Sequence, residues 1–418
     1  MLVGFVLVGF AVIGAVGNRD RDRRDARNIV AFACGAGFAR LAGTAAASPP
    51  PLALVAVRLG FAAAFFAGCG IVGQPFGLLG FNFRFDLGVE RLILLGDVLE
   101  LRQSPAREVL TAAQPALREL GGALESGTRV TIVPGNHDHR LLVPWLERRG
   151  RDRAPQPLGL EACVDWRAGE PLARLAGWLA PRGSGIELDV AYPGCWLRDD
   201  VYATHGHYSD RHATVPMFER LGAGAMARIA GEGPGGPQSA EDYEAILNPM
   251  YAWLDAVAQT GGLATGGGSA AAWRALSGRD GRLGLRRRAA RAALPAIVAG
   301  LNRAGLGPLS ADLSTDALRR SRLRAVGEVV LRLGVEARHV IFGHSHRAGP
   351  LPADDGAEWR TVTGATLTNA GCWVHDPAFL GAEPALSPYR PGFAATVSDS
   401  GPPALVNLLD DVSWPARG

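Results

Sequence analysis

The chain has 418 residues, of which 48% are hydrophobic and 20% are charged, as in a globular protein large enough for two or three domains. Its formal net charge of +3 is too small to indicate a nucleic-acid partner. The five cysteines are scattered and form no C-x-x-C pair, so neither a disulfide framework nor a thiolate zinc site is indicated, and a cytoplasmic protein is favoured.

Residues 1–85 form an apolar segment without a regular alternation of strand and helix patterns. Residues 1–17 are uncharged and are followed by charges, which is the reverse of the order in a signal peptide. A second uncharged stretch, 59–83, is interrupted by Pro75. About 17 residues is the lower limit for a membrane span. Two interpretations stay open: a membrane anchor, which would make the protein membrane-associated, or sequence translated in the wrong reading frame.

The segment 86–209 carries the pattern of an α/β layer. The apolar run Arg91–Leu95 predicts a strand, 105–125 predicts a helix with Ser104 as its N-cap, and Arg129–Val133 predicts the next strand. Strand, helix, strand is the repeating unit of such a layer. A hairpin follows within 195–204.

Residues 210–335 interrupt this pattern with Ala, Leu and Arg-rich helical segments. The Gly-rich stretches 231–237 and 261–269 indicate connectors. A last helix is predicted from Thr315, its N-cap, to Leu333. We expect a helical insertion that lies beside the functional site and covers it.

The segment 336–418 returns to strands. His339–Phe342 predicts a buried strand, and five shorter strands are predicted after it, at 361–363, 367–369, 372–374, 394–397 and 405–408. The fold class that the sequence predicts is therefore α/β (α+β), built from 86–209 and 336–418 around the insertion.

Polar residues follow four of the predicted strands, and six of the nine histidines lie in these loops. The candidate site residues are Asp97, Asn136, His137, Asp138, His205, His207, His344 and His346. Loops at the carboxyl ends of strands in open α/β sheets are where ligands bind. A donor set of carboxylate, amide and imidazole suits Mn²⁺, Fe or Zn²⁺ and argues against Ca²⁺ or Mg²⁺ alone.

The order of these motifs, Gly-Asp at 96–97, Gly-Asn-His-Asp at 135–138, His-Gly-His at 205–207 and Gly-His-Ser-His at 343–346, resembles the calcineurin-like metallophosphoesterase superfamily. The turn Asn-Ala-Gly-Cys-Trp at 369–373 is similar to one that some members carry. The resemblance covers roughly 86–209 and 336–410. It implies a two-sheet β-sandwich flanked by helices, a dinuclear metal site at one edge, and a hydrolase (a phosphatase or phosphodiesterase) acting on a phosphate-ester substrate.

By the same resemblance, Asp97 would be a carboxylate that bridges two metal ions. Asn136, His205 and His344 would complete one metal site, and His346 would belong to the other.

The resemblance also implies the catalytic residues. His137 would contact the phosphate and protonate the leaving group, oriented by Asp138. His207 would either contact the phosphate of the substrate or cap its loop. Glu100 stands where the family usually has Asp, and it is expected to act behind the metal ligands.

One family motif is missing, because no histidine precedes His137 and the family's D-x-H should lie upstream of Asp97. Its loss would leave one metal with only Asp97 and His346. We therefore expect the chain as given to hold one ion tightly and to be impaired as a phosphoesterase. The alternative is a non-catalytic scaffold of the same fold that binds protein partners. Within the enzyme class, a pyrophosphatase that acts on a nucleotide-linked lipid is less favoured, because such enzymes usually carry Arg where His137 stands.

Overall fold

The computed structural model describes residues 29–33, 90–102, 104–259, 285–373, 380 and 383–410. The described strands are β1 Ile29–Ala33, β2 Arg91–Leu95, β3 Arg129–Val133, β4 Glu161–Cys163, β5 Glu187–Arg198, β6 Val201–Thr204, β7 His339–Phe342, β8 Thr366–Asn369, β9 Phe393–Val397 and β10 Ala404–Asn407. The described helices are α1 Ala106–Ala123, α2 Val143–Arg151, α3 Pro171–Leu179, α4 Phe218–Ile229, α5 Ala240–Gln259, α6 Leu285–Arg303 and α7 Thr315–Arg332. The apolar stretches 1–17 and 59–83 lie outside the described residues.

The strands form one mixed sheet in the order β10, β9, β1, β2, β3, β5, β6, β7, β8, with β4 paired to β5. β1, β2 and β3 are mutually parallel, as are β6, β7 and β8. The central strands read as continuous apolar runs, as expected where both faces of a parallel sheet are covered. The predicted α/β class, a mixed sheet with flanking helices, is confirmed.

The long strand β5 connects the two halves of the sheet. Its first residues, 187–190, pair in parallel with β3, and its last, 194–198, pair antiparallel with β6. The hydrogen-bonded path is therefore continuous through β5.

β5 also sets where the site lies. It continues past the carboxyl end of β3, and β6 returns alongside it until Thr204 pairs with Gly194. The carboxyl end of β6 thereby arrives level with that of β3. Because β7 is parallel to β6, its carboxyl end arrives there too.

One strand of the sheet, β1, comes from the segment 1–85. Ile29–Ala33 lies between β2 and β9, and Ala33 pairs with Leu95. The short β-branched run was overlooked because no turn signals or neighbouring strand pattern delimit it. At least one strand of the sheet therefore precedes residue 86.

Four further details differ from the sequence predictions. Pro105, not Ser104, is the N-cap position of α1, and no side chain caps that helix. The N-cap of α7 is Ser314, whose hydroxyl accepts a hydrogen bond from the Ala317 amide at 3.2 Å, not Thr315. Residues 361–363 form a turn, and residues 372 and 373 lie outside any strand.

Between 210 and 335, the described residues form helices and loops and no strand. α4 and α5 pack together, and α5 buries the side chains of Tyr243, Leu247 and Tyr251. Among the residues that the structure describes, no helix combines the length and hydrophobicity needed to cross a membrane.

The Ser314 cap can be tested against the sequence prediction. Ser314→Ala removes the hydroxyl that accepts from the Ala317 amide, so it should lower the free energy of unfolding by about 1 kcal/mol. Thr315→Ala, one residue further along, should change it by no more than about 0.5 kcal/mol. Urea unfolding measures the free energy of unfolding of both variants. A larger loss for Thr315→Ala than for Ser314→Ala would contradict the assigned cap.

Candidate metal centre

Asp97 follows β2 in a conformation that few residues adopt. Its φ is +54°, and the preceding Gly96 has φ +82°. A side chain at Gly96 would meet the ring of His205, and one at Gly135 would meet the Asp97 carboxylate. Both glycines therefore let the β2, β3 and β6 loops approach closely enough for their side chains to meet.

Three side chains converge on the Nε2 atom of His205. Asp97 Oδ2 and Asn136 Oδ1 each lie 3.2 Å from it, and His344 Nδ1 lies 3.3 Å from it. Asp97, His205 and His344 each offer a ligand atom within 4.8 Å of the others. The structure thus brings together the four residues that the sequence predicts for one metal.

The other ring nitrogen of each histidine is occupied. His205 Nδ1–H donates to the Leu95 carbonyl at 3.1 Å, and His344 Nε2–H donates to Asp210 Oδ1 at 2.9 Å. These bonds fix which nitrogen of each ring carries hydrogen and direct the remaining lone pairs toward the shared space. Such outer hydrogen bonds are typical of histidines that bind metals.

Asp210 is the functional residue that sequence reasoning missed. Its carboxylate is fully buried and also accepts from Arg322 of α7 at 2.5 Å. Although burial favours the neutral acid, the charges of His344 and Arg322 lower the pKa of Asp210. An acid five residues after His205, paired with an arginine 112 residues away, leaves no recognisable spacing in the sequence.

The buried side chains of Asp97 and His205 each stabilise the charged form of the other. Asp97 is 3% exposed, its Oδ1 accepts from the His137 amide at 2.9 Å, and its Oδ2 lies 3.2 Å from His205 Nε2. Burial opposes its ionisation, but His205 and His137 lower the pKa of Asp97 well below its ordinary value. Conversely, the Asp97 charge outweighs burial and raises the pKa of His205.

These pKa shifts indicate that the space between the side chains favours a positive charge. Three acceptor atoms around one imidazole nitrogen are held together either by a proton on Nε2 or by a metal ion. Carboxylate, amide oxygen and imidazole are suitable donors for Mn²⁺, Fe or Zn²⁺. The donors therefore fit one divalent metal ion.

His137 is oriented by Glu100, which corrects the role predicted for Asp138. His137 Nδ1 lies 2.5 Å from Glu100 Oε2, whose side chain is 1% exposed. Burial alone would lower the pKa of His137, but the charges of Glu100 and Asp97 raise it to about 9. The Leu101 amide donates to the His137 carbonyl at 3.1 Å, so the residues that follow Asp97 lie against the 135–139 loop.

Asp138 instead shapes the loops. Its two oxygens accept from the backbone amides of Gly135 at 2.6 Å and Val98 at 2.8 Å, so it ties the β3 loop to the β2 loop. The residue is fully buried, which leaves it no contact with a substrate.

His346 lies beside the centre and outside the group of three. It shares with Asp97 a positive φ, +61°, and no other non-glycine residue in the described chain does so. Burial and the charges of His344, His137 and His205 lower its pKa to about 3, against the opposing effect of Asp97. Strained backbone of this kind is concentrated at functional sites.

His207 does not lie where a substrate could touch it, contrary to the predicted phosphate contact. It is 1% exposed, and its Nε2 lies 3.1 Å from the Tyr192 hydroxyl. Tyr192 and Tyr208 both donate to Glu244 of α5, whose other oxygen lies 3.0 Å from His139 Nε2. His207 therefore belongs to a buried network that holds α5 against the β3 and β6 loops.

Comparison of the chain with protein-family models, with curated proteins and with solved structures gives no match.

The outer hydrogen bond of His344 yields a test. Asp210→Asn removes the acceptor that fixes the His344 ring, so affinity for Zn²⁺ or Mn²⁺ should fall by roughly 10- to 100-fold in calorimetric titration. The matched control is Asp200→Asn, which also takes a carboxylate from an arginine pair, with Arg198, but in the β5–β6 turn. Equal affinities for the two variants would contradict the assignment of Asp210.

Proposed function

We propose that the chain is a metal-dependent phosphoesterase of the calcineurin-like type. The observation that carries the proposal is the convergence of Asp97, Asn136 and His344 on His205 Nε2 at 3.2–3.3 Å, with His137 in the adjoining loop. The motif order in the sequence supports the same assignment.

Asp97, Asn136, His205 and His344 would hold the ion. A divalent ion so held supplies Lewis-acid stabilisation of phosphate charge and activation of water. The protein's own contribution is to fix the donors: Leu95 and Asp210 orient the two rings, and the His137 amide holds the Asp97 carboxylate.

His137 would serve as the acid that protonates the departing oxygen. Its Nδ1 is paired with Glu100, so its Nε2 is the nitrogen left to face a substrate. The side chain is 21% exposed, in contrast to the fully buried His205. A positioned acid of this kind is worth about 10²–10⁴-fold in rate.

The chain would hold one ion tightly rather than two. A second site could draw only on Asp97 and His346, and catalytic sites normally use at least three protein ligands. β1 ends beside Leu95, where a D-x-H motif would supply more, but the residues that follow it are Cys34, Gly35 and Ala36.

The finer fold assignment also belongs to this proposal. A long strand that pairs with β3 at one end and β6 at the other suits a sandwich of two linked halves. In this assignment α5 of the insertion partly covers the site, because its residue Tyr251 lines a cavity together with His137.

A non-catalytic scaffold that binds protein partners is the second candidate, and the missing D-x-H motif favours it. The two functions differ in what His137 does. In a scaffold, the His137–Glu100 pair would affect stability alone.

Hydrolysis of bis(p-nitrophenyl) phosphate with Mn²⁺ tests the proposal. We expect weak, metal-dependent turnover that EDTA abolishes. His137→Ala should lower kcat by about 10²–10⁴-fold without reducing metal binding, because His137 acts on the leaving group. Glu100→Gln should lower kcat less, since the ring is retained.

The control for these variants is His339→Ala, a histidine at the start of β7 whose ring lies 2.5 Å from the Thr366 hydroxyl, away from the centre. It should leave kcat unchanged. Turnover that is absent from the metal-loaded protein, or that His137→Ala does not change, would favour the scaffold.

A further inference from the structure

A small cavity opens beside His137. It encloses about 260 Å³ of empty space, some of it open to solvent, between the β2 and β3 loops and α5. Arg102, Arg140, Asn136 and Tyr251 supply its polar lining.

Several polar atoms of the cavity lining are buried without a hydrogen-bond partner among the described residues. They are Arg102 Nε, Arg102 Nη1, Asn136 Nδ2 and the Tyr251 hydroxyl. Tyr251 is 3% exposed and Asn136 is 1% exposed. An unpaired buried polar group costs about 1–3 kcal/mol, so four such atoms around one space indicate that a ligand satisfies them.

All four atoms can donate hydrogen bonds, and three of them can do nothing else. Arginine nitrogens and the amide nitrogen of asparagine are donors only, and a tyrosine hydroxyl can donate. The complementary ligand is therefore rich in acceptors.

The charges of the cavity favour an anion. Asp255, the acid in its lining, is bound to Arg140 and accepts from Gln259 at 3.0 Å. Arg102 Nη2 lies 3.5 Å from Glu219, whereas Nε and Nη1 of the same guanidinium have no hydrogen-bond partner among the described residues. Guanidinium N–H groups bind carboxylate and phosphate oxygens.

Asn136 connects the cavity to the metal centre. Its Oδ1 lies 3.2 Å from His205 Nε2, while its Nδ2 is one of the unpaired donors. A group bound in the cavity would therefore sit next to a phosphate ester at the metal, on the side of His137.

We infer that the cavity is an oxyanion subsite, formed by Arg102, Tyr251 and Asn136, that receives a phosphate or carboxylate group on the leaving-group part of the substrate. The assignment of this group to a substrate rests on the proposed function, whereas oxyanion binding itself does not. The preferred substrate class is a phosphate ester whose alcohol carries a second anionic group.

Oxyanion binding is tested on the full-length protein in EDTA, without metal, by calorimetric titration with inorganic phosphate and, in parallel, acetate. Arg102→Met should weaken binding by roughly 10- to 100-fold, as expected for loss of a charged hydrogen bond. The matched control is Arg107→Met, because Arg107 lies on α1 with its side chain 86% exposed. It should bind as the parent protein does.

Tyr251→Phe separates a binding role from a structural one. It keeps the ring and removes only the unpaired hydroxyl, so it should weaken phosphate binding by a few fold while leaving Tm of the ligand-free protein unchanged or higher. A structural hydroxyl would instead give a lower Tm and unchanged binding. Undetectable phosphate and acetate binding, or binding that Arg102→Met and Tyr251→Phe do not alter, would overturn the subsite.

The substrate class is tested with two aryl phosphodiesters that differ only in a carboxylate on the leaving group. Arg102→Met should raise KM for the carboxylated ester by roughly 10- to 100-fold and leave KM for the neutral one unchanged. An equal change in both KM values would overturn the leaving-group assignment. Absence of turnover with both esters, alongside intact phosphate binding, would refute the proposed hydrolase and leave the oxyanion site standing.

Discussion

One nitrogen atom, His205 Nε2, sets the organisation of the site. Three side-chain acceptors from three other loops lie 3.2–3.3 Å from it, and Asp97, Asn136 and His205 are almost completely buried. Buried acceptors repel one another unless a cation lies between them. Positive φ at Asp97 and the close approach of the loops at Gly96 and Gly135 are what this crowding requires.

The scaffold around this atom consists of elements that fix the four loops. β5 lets β6 return to the level of β3, Asp138 ties the β2 and β3 loops, and Asp210 joins the His344 ring to α7 through Arg322. Glu244 of α5 then binds His139 and two tyrosines from the β5 and β6 region. α5 and α7 are therefore bonded to the loops that carry the candidate metal ligands, and α5 lines the cavity beside His137.

Sequence patterns predicted the strands that carry site residues, because short apolar runs ended by polar loops are local signals. They also predicted the convergence of Asp97, Asn136, His205 and His344. They could not predict Asp210 or Glu244, since each acts through a partner more than 100 residues away in sequence. The role of Asp138 was wrong because a neighbour in sequence was taken as the partner of His137, whereas Glu100 reaches that ring in space. Of the two roles left open for His207, the phosphate contact is excluded because its ring is buried beside Tyr192. The strand β1 was missed because its five residues lie within a long apolar segment.

X-ray absorption spectroscopy of the protein loaded with Zn²⁺ tests the metal centre most directly. The account predicts nitrogen and oxygen ligands at about 2.0–2.2 Å, with outer scattering from two imidazoles and no sulfur. His344→Ala should reduce the imidazole contribution from two rings to one, while His139→Ala, whose ring bonds Glu244, should leave it at two. A spectrum that His344→Ala does not change, or one that contains sulfur, would contradict the assignment of these four residues.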